Sequence, residues 1–119
     1  MTILNLTQHV ASTEQISAGV VEPADKPAVS KLLTFDAAPD GAELARRAGE
    51  LAAMAAVAGA SAAMIGGAPF FMSALERALK ATGVRPLYAF STRESVETVL
   101  PDGSTRKTQV FRHTGWVEV

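Results

Sequence analysis

The most informative segment of the sequence is SAAMIGGAP, at residues 61–69. Its first five residues are small or apolar and carry no charge, which is typical of a strand covered on both faces of a parallel sheet. Gly66-Gly67 then predicts a tight turn, and Pro69 stands at the first helical position, where its missing N–H leaves no hydrogen bond unmade. The segment therefore predicts a buried strand at Ser61–Ile65 and a helix from about Pro69 to Thr82.

Strands and helices also alternate on either side of this segment. Further strands are predicted at Ile3–Leu6, Leu32–Phe35 and Val84–Ser91. Ser12 opens a short helix that stops at Gly19, and Asp40 with Glu43 opens a long alanine-rich helix over Ala42–Ala58. Strands that alternate with helices are parallel and are joined by right-handed crossovers, with helices on both faces of the sheet.

The pattern changes after residue 91. Ser95–Leu100 and Thr105–Phe111 are rich in valine and threonine and flank the turn sequence Pro101-Asp102-Gly103-Ser104, which predicts an antiparallel hairpin. Trp116–Val119 could add to this hairpin. The predicted architecture is an α/β, small Rossmann-like sandwich of about four parallel strands with helices on both faces, plus the C-terminal antiparallel hairpin.

Length and composition fit one domain covering 1–119, with a β-α-β-α-β-α-β core over 1–91 and a hairpin extension over 92–119. The chain is 48% hydrophobic, has a net charge of −1 and contains no cysteine. The charge balance excludes a strongly basic nucleic-acid-binding protein, and no duplex nucleic acid is expected as a partner. The lack of cysteine excludes a disulfide scaffold and a cysteine-ligated zinc module.

The N-terminus has no basic region followed by an apolar region and a cleavage site, so a cytoplasmic location is expected. Leu51–Met72 carries no charge over 22 residues, long enough for a membrane span. Its alanine and glycine content and the break at Gly66–Pro69 favour instead a packed helix, a buried strand and the start of another helix. No membrane association is therefore expected.

Three polar loops are predicted to meet at the carboxyl edge of the parallel strands. They contribute Asn5, Thr7, Gln8 and His9 after the first strand, Gly66 and Gly67 after the third, and Ser91, Thr92 and Arg93 after the fourth. Open parallel sheets bind ligands at this edge, near the point where strand order reverses. Free N–H groups and the helix dipole after the glycine turn favour an anion, and Arg93 could clamp a phosphate or carboxylate. The sequence thus predicts a module that binds a nucleotide or another phosphorylated small molecule.

Other interpretations of these residues remain open. The glycine turn can be only a tight connection, since it matches neither G-x-G-x-x-G nor a P-loop, and Arg93 can pair with Glu94 or Glu97. An enzymatic alternative uses His9 as general acid or base and Arg93 to stabilise charge on a phosphoester. No metal-ligand spacing and no G-x-S-x-G motif is present, so neither a metal nor a cofactor is predicted.

The C-terminal part also indicates association. Val110, Phe111 and Trp116 are large apolar residues late in a small domain, and a hairpin that leaves its sheet has edges that need cover. A homodimer through the C-terminal hairpin would supply that cover. A third functional alternative is an interaction protein that docks a partner through the hairpin, and His113 is interpreted as structural or interfacial.

Three segments carry a resemblance to known proteins: Asn5–His9, Ala63–Pro69 and Tyr88–Ser95. At these segments the chain resembles an uncharacterised family of small bacterial proteins. In size and element order it is similar to the small single-domain CRISPR-associated Rossmann-like (CARF-like) proteins. That resemblance implies a dimer that binds cyclic oligoadenylate at the strand ends, and some members of that group also cleave it.

Overall fold

The computed structural model describes all of residues 1–119. Its elements are β1 (Ile3–Leu6), α1 (Thr13–Ser17), β2 (Val20–Val21), α2 (Lys26–Leu33), α3 (Gly41–Val57), β3 (Ala62–Ile65), α4 (Pro69–Ala81), β4 (Arg85–Val99) and β5 (Thr105–Glu118). The five strands form one sheet in the order β2-β1-β3-β4-β5. The first four are mutually parallel and β5 is antiparallel to β4, which confirms the predicted mixed α/β class.

The helix starts follow from the sequence. Ser12 caps α1 by accepting a hydrogen bond from the N–H of Gln15, and the Gln15 side chain accepts from the N–H of Ser12, so the predicted capping box is confirmed. Asp40 caps α3 by accepting from the N–H of Glu43 at 2.8 Å. The α4 helix begins at Pro69, as predicted.

The predicted second strand at Leu32–Phe35 is wrong. Leu32 and Leu33 are the last residues of α2, which begins after Asp25, whose carboxylate accepts a hydrogen bond from the N–H of Ala28. Val29 and Leu33, four residues apart, are its buried side chains, so this apolar run follows helical spacing. The actual second strand is Val20–Val21, too short to leave an alternating pattern in the sequence.

The sheet has two unequal layers of cover. Leu4, Leu6, Ala63 and Ile65 face a large core built with α2, α3 and α4. The alternate residues of β1 and β3 face a smaller cluster that includes Ala11 and Val20, with Trp116 packed against it. On that second face the helical cover is the five-residue α1, which buries none of its side chains. The prediction of helices on both faces is therefore confirmed only in part, since three helices cover one face and only the short α1 covers the other.

The β4–β5 hairpin extends well beyond the sheet. β3 pairs with β4 only over Arg85–Leu87, whereas β4 and β5 remain paired as far as Val99 and Thr105. The predicted separate strands at Val84–Ser91 and Ser95–Leu100 are thus one continuous strand. The radius of gyration is 17.1 Å, against about 13.5 Å for a compact chain of this length. We call residues 91–113 the hairpin arm.

None of the four helices is long and apolar enough to span a membrane. The uncharged stretch 51–72 divides among the end of α3, all of β3 and the start of α4. Leu51 and Phe71 of this stretch are buried in the main core, whereas Val57 and Phe70 are exposed. The predicted division of this stretch into helix, strand and helix is confirmed.

Candidate functional site

The strand order reverses between β1 and β3. From β1 the chain crosses to β2 on one side, and from β2 it returns past β1 to β3 on the other side. In open α/β sheets this reversal opens a crevice at the carboxyl ends of the two strands. Thr7 follows β1 there and Gly66 follows β3, and a Cβ on Gly66 would lie 3.6 Å from the Thr7 Cγ2 atom. The fold therefore brings these two predicted site residues together.

Asn5 organises the end of β1 from inside. It is fully buried. Its Nδ2 group donates to both Glu22 carboxylate oxygens at 3.0 Å and to the His9 carbonyl at 2.7 Å. Its Oδ1 atom accepts from the Thr7 N–H at 3.0 Å and from the Thr7 hydroxyl at 2.7 Å. The Asn5 side chain is thus fully engaged within the chain and holds the loop that follows β1.

Glu22 and Lys26 complete this network and were missed by the sequence analysis. The Lys26 ammonium donates to the carbonyls of Thr7 at 2.7 Å and His9 at 3.0 Å, and lies 3.1 Å from the Glu22 carboxylate. Burial raises the pKa of Glu22, but hydrogen bonds from Ala11, Asn5 and Lys26 outweigh it and leave that pKa below its usual value. No local signal marks this pair in the sequence, because Glu22 precedes α2 and Lys26 is its first residue, so their four-residue spacing is not a helical one.

The start of α4 presents backbone donors without partners. Ala68 occupies the N-cap position and provides no side-chain hydrogen bond. The N–H groups of Gly66, Gly67, Ala68 and Phe70 donate to no acceptor in the chain, and Pro69 has no N–H. Gly67 has a φ of +153°, which side-chain-bearing residues rarely adopt. These donors and the positive end of the helix dipole lie beside Thr7 and favour a negatively charged group.

Gln8 and His9 point to different surroundings. The Gln8 amide donates to the Thr34 hydroxyl at 2.7 Å and to the Ser30 carbonyl at 3.2 Å, which ties the loop after β1 to α2. The His9 residue is exposed, and its imidazole makes no hydrogen bond, although its carbonyl accepts from Asn5, Thr7 and Lys26. The loop backbone is therefore fixed while the imidazole is free.

The third predicted loop lies on the hairpin arm. Ser91, Thr92 and Arg93 are exposed, and the Arg93 guanidinium lies 5.2 Å from the centre of the Phe111 ring. Arg93 is six residues beyond Leu87, where pairing with β3 ends, a distance of about 20 Å along an extended strand. Within one chain, Arg93 is therefore not brought to the glycine turn.

His113 lies opposite Ser91 at the base of the arm. Its ring packs against Trp116, with ring centres 4.5 Å apart, and its Nδ1 atom is buried without a hydrogen-bond partner. His113 lies on β5, whereas His9 lies in the loop after β1, and no hydrogen bond joins the two residues. No group of three or more histidine, aspartate or glutamate side chains is placed to hold a metal ion.

A cavity lies away from the strand ends. It is an open groove of about 880 Å³ between α2 and α3, lined mainly by apolar residues such as Ala28, Leu32 and Met54. Charged side chains, among them Arg46 and Glu50, stand at its rim and pair with one another at 3.0 Å. None of the residues predicted for the strand-end site lines this groove.

The fold and this edge define a single-sheet α/β protein that gathers polar side chains and free backbone donors at a strand-order reversal. A model of the uncharacterized protein MJ1673 family matches residues 1–117. The chain belongs to that family. A search of the curated proteins and a search of the solved structures each found no match.

Proposed function

We propose that the protein binds an anionic small molecule, a nucleotide or another phosphorylated ligand, at the carboxyl ends of β1 and β3. The observation that carries this proposal is the run of unpartnered N–H groups from Gly66 to Phe70, beside Thr7 at the strand-order reversal. Backbone donors at a helix start bind phosphate and carboxylate groups without needing a cationic side chain. A cyclic oligonucleotide is the member of this class that the CARF-like resemblance suggests.

The test uses a variant that supplies its own anion. Ala68→Asp places a carboxylate at the N-cap of α4, which satisfies the free donors and stabilises the helix while it repels a bound anion. We expect mono-, di- or cyclic nucleotides, or inorganic phosphate, to stabilise the unsubstituted protein. At a ligand concentration of about 100 times Kd, the melting temperature should rise by several degrees. The Ala68→Asp protein should fold and show no such shift.

Ala42→Asp is the matched control, because it adds the same charge in the exposed first turn of α3. It should keep the full ligand-induced shift. No stabilisation by any anion, or an equal shift in Ala68→Asp, would contradict binding at this edge. Turnover of a bound phosphoester that is lost in His9→Ala while binding is kept would favour the enzymatic alternative.

A second proposal concerns assembly: the protein forms a homodimer through the hairpin arm. The supporting observation is exposure of large apolar side chains on and beside a two-stranded ribbon, with Phe111 71%, Val99 70% and Phe90 54% exposed. An isolated two-stranded hairpin is marginally stable in water. A second copy that covers the hairpin arm would account for its length and for its apolar surface.

Light scattering after gel filtration tests this assembly. We expect twice the chain mass of 12.4 kDa. Val99→Asp, on the hairpin arm, should shift the protein towards the monomer. Val57→Asp is the matched control, since Val57 is 90% exposed on α3. A monomeric mass for the unsubstituted protein at tens of micromolar, or dissociation only in Val57→Asp, would contradict assembly through the hairpin arm.

A further inference from the structure

The outer edge of β4 is unpaired along the hairpin arm. β3 covers this edge over Arg85–Leu87, and β5 occupies the opposite edge of β4 throughout. We propose that a second copy of the chain pairs here, β4 against β4 and antiparallel, about a two-fold axis at Ser95. This inference rests on the proposed assembly through the hairpin arm and specifies which strand, and which residues, form the contact.

Backbone direction limits where the axis can lie. The Leu100 N–H donates to the Ser104 carbonyl at 2.8 Å, and the Val119 N–H donates to the Pro86 carbonyl at 3.3 Å. Even-numbered residues of β4 therefore direct their backbone groups towards β5. Antiparallel ladders alternate, so the odd-numbered residues present N–H and C=O groups at the free edge. These residues are Ser91, Arg93, Ser95, Glu97 and Val99, all of them exposed.

Each hydrogen-bonded pair between the two copies must join two odd-numbered residues, because these present their backbone groups at the free edge. The numbers of two paired residues therefore add up to an even number, and the axis passes through a residue and not between two. An axis at Ser95 places Arg93 opposite Glu97 of the second copy, and does so twice by symmetry. An axis at Arg93 or at Glu97 would instead place like charges face to face. Arg93 and Glu97 make no ion pair within the chain, whereas Glu94 is already paired with Arg112. An axis at Glu94 or at Val96 also pairs odd-numbered residues with one another, but it leaves Arg93 and Glu97 opposite uncharged residues. Ser95 is therefore the axis position at which the charges of β4 complement themselves.

The free edge of β5 is the less suitable contact. Its part of the hairpin arm carries Arg106, Lys107 and Arg112 and no acidic residue, so pairing β5 against β5 would bring basic side chains together. Pairing β4 against β5 would be head-to-tail and would leave free edges that continue into a filament. A closed two-fold dimer with matched charges is obtained only through β4.

This pairing also brings the second copy to the strand-end site. With the axis at Ser95, Val99 of the second copy pairs with Ser91, so its turn at 101–104 approaches Ala89 and Phe90. By the β3–β4 pairing, Gly66 is level with Ala89. The second copy would therefore border the opening in which the free N–H groups lie, and its turn would help to enclose a bound ligand.

The absence of cysteine makes cross-linking a direct test. Ser95→Cys places a single thiol at the proposed axis, where paired Cα atoms about 5.5 Å apart suit a disulfide. Gln109→Cys is the matched control, because Gln109 lies directly opposite Ser95 on β5 and is also exposed. We expect mild oxidation to convert most of the Ser95→Cys protein to a covalent dimer and little of the Gln109→Cys protein.

Charge reversal provides a second readout without oxidation. Arg93→Glu and Glu97→Arg should each raise the dimer dissociation constant about tenfold, and the double variant should restore it. The β4 contact would be overturned if the protein had a dimeric mass but cross-linked efficiently through Gln109→Cys, or through neither cysteine. Assembly through the hairpin arm would still stand in that case. A monomeric mass for the unsubstituted protein would overturn both.

Discussion

Replacing Phe71 by alanine is expected to lower the free energy of unfolding by about 3 to 5 kcal/mol, a large part of the stability of a domain of this size. Phe71 is fully buried in the main core. Its ring also meets Phe35 edge-on, with centres 5.4 Å apart and planes at 63°. Truncation would leave a cavity between α4 and the sheet that the neighbouring side chains cannot fill. Urea unfolding followed by circular dichroism measures the loss.

Phe70→Ala is the matched control, because it removes the same ring from the preceding residue. Phe70 is 53% exposed, although it also meets Phe35 edge-on at 5.1 Å. Removing this ring should lower the free energy of unfolding by about 1 kcal/mol, because the chain loses one edge-to-face contact and the burial of part of an apolar surface. If the two variants lost similar stability with unchanged denaturant slopes, the placement of α4 on the sheet would be incorrect.

Asn5→Asp is expected to destabilise the protein by about 2 to 3 kcal/mol at pH 7, although the two side chains have nearly the same shape. The substitution replaces the Nδ2 donor by a second carboxylate oxygen, 3.0 Å from both oxygens of Glu22 and 2.7 Å from the His9 carbonyl. Two carboxylates at this distance cannot both ionise without a large cost, so one of them retains a proton and its pKa rises.

The stability of the unsubstituted protein and that of Asn5→Asp should change with pH in opposite directions. In the unsubstituted protein the pKa of Glu22 is lowered from its usual 4.5. The ionised Glu22 side chain therefore contributes fully to the free energy of unfolding above pH 4.5, and this contribution is lost as the pH falls through the lowered pKa. In Asn5→Asp the shared proton has a raised pKa, so stability is greatest at low pH and declines as the pH rises through that pKa. The difference between the proteins should therefore shrink below about pH 5.

Gln8→Glu is the control for this series. It adds the same charge three residues further along, in the loop after β1, but Gln8 is exposed and its partners are Ser30 on α2 and Thr34 at the end of that helix. Thermal unfolding between pH 4 and pH 8 should show a small and nearly constant loss for Gln8→Glu. A loss in Asn5→Asp that did not vary with pH would mean that the Asn5–Glu22 contact does not form.

The proposed site could be predicted only in part from the sequence. Polar residues directly after a buried strand mark its carboxyl end, and Thr7 and Gly66 were predicted in this way. The roles of Glu22 and Lys26 were not, because their importance depends on the loop after β1 folding back towards α2. Arg93 was predicted to join the glycine turn, but β4 continues past the end of β3 and carries Arg93 onto the hairpin arm.

The second strand shows why local pattern is not enough. Leu32 and Leu33 fit a short buried strand or a helix end equally well, since a run of four residues shows neither period. The helix prevails because Asp25 caps it and because Val29 and Leu33 both reach the core. Val20 and Val21 become a strand only because Ile3 and Leu4 lie beside them.

Local signals predict β1, the long helix α3, and the strand, turn and helix from Ser61 to Ala81, because apolar spacing, caps, glycine and proline act over a few residues. No local signal predicts the strand order, the unequal cover of the two faces or the length of the hairpin arm. These features depend on pairing between segments far apart in the chain. A four-residue β3 beside a fifteen-residue β4 leaves most of one edge without a partner.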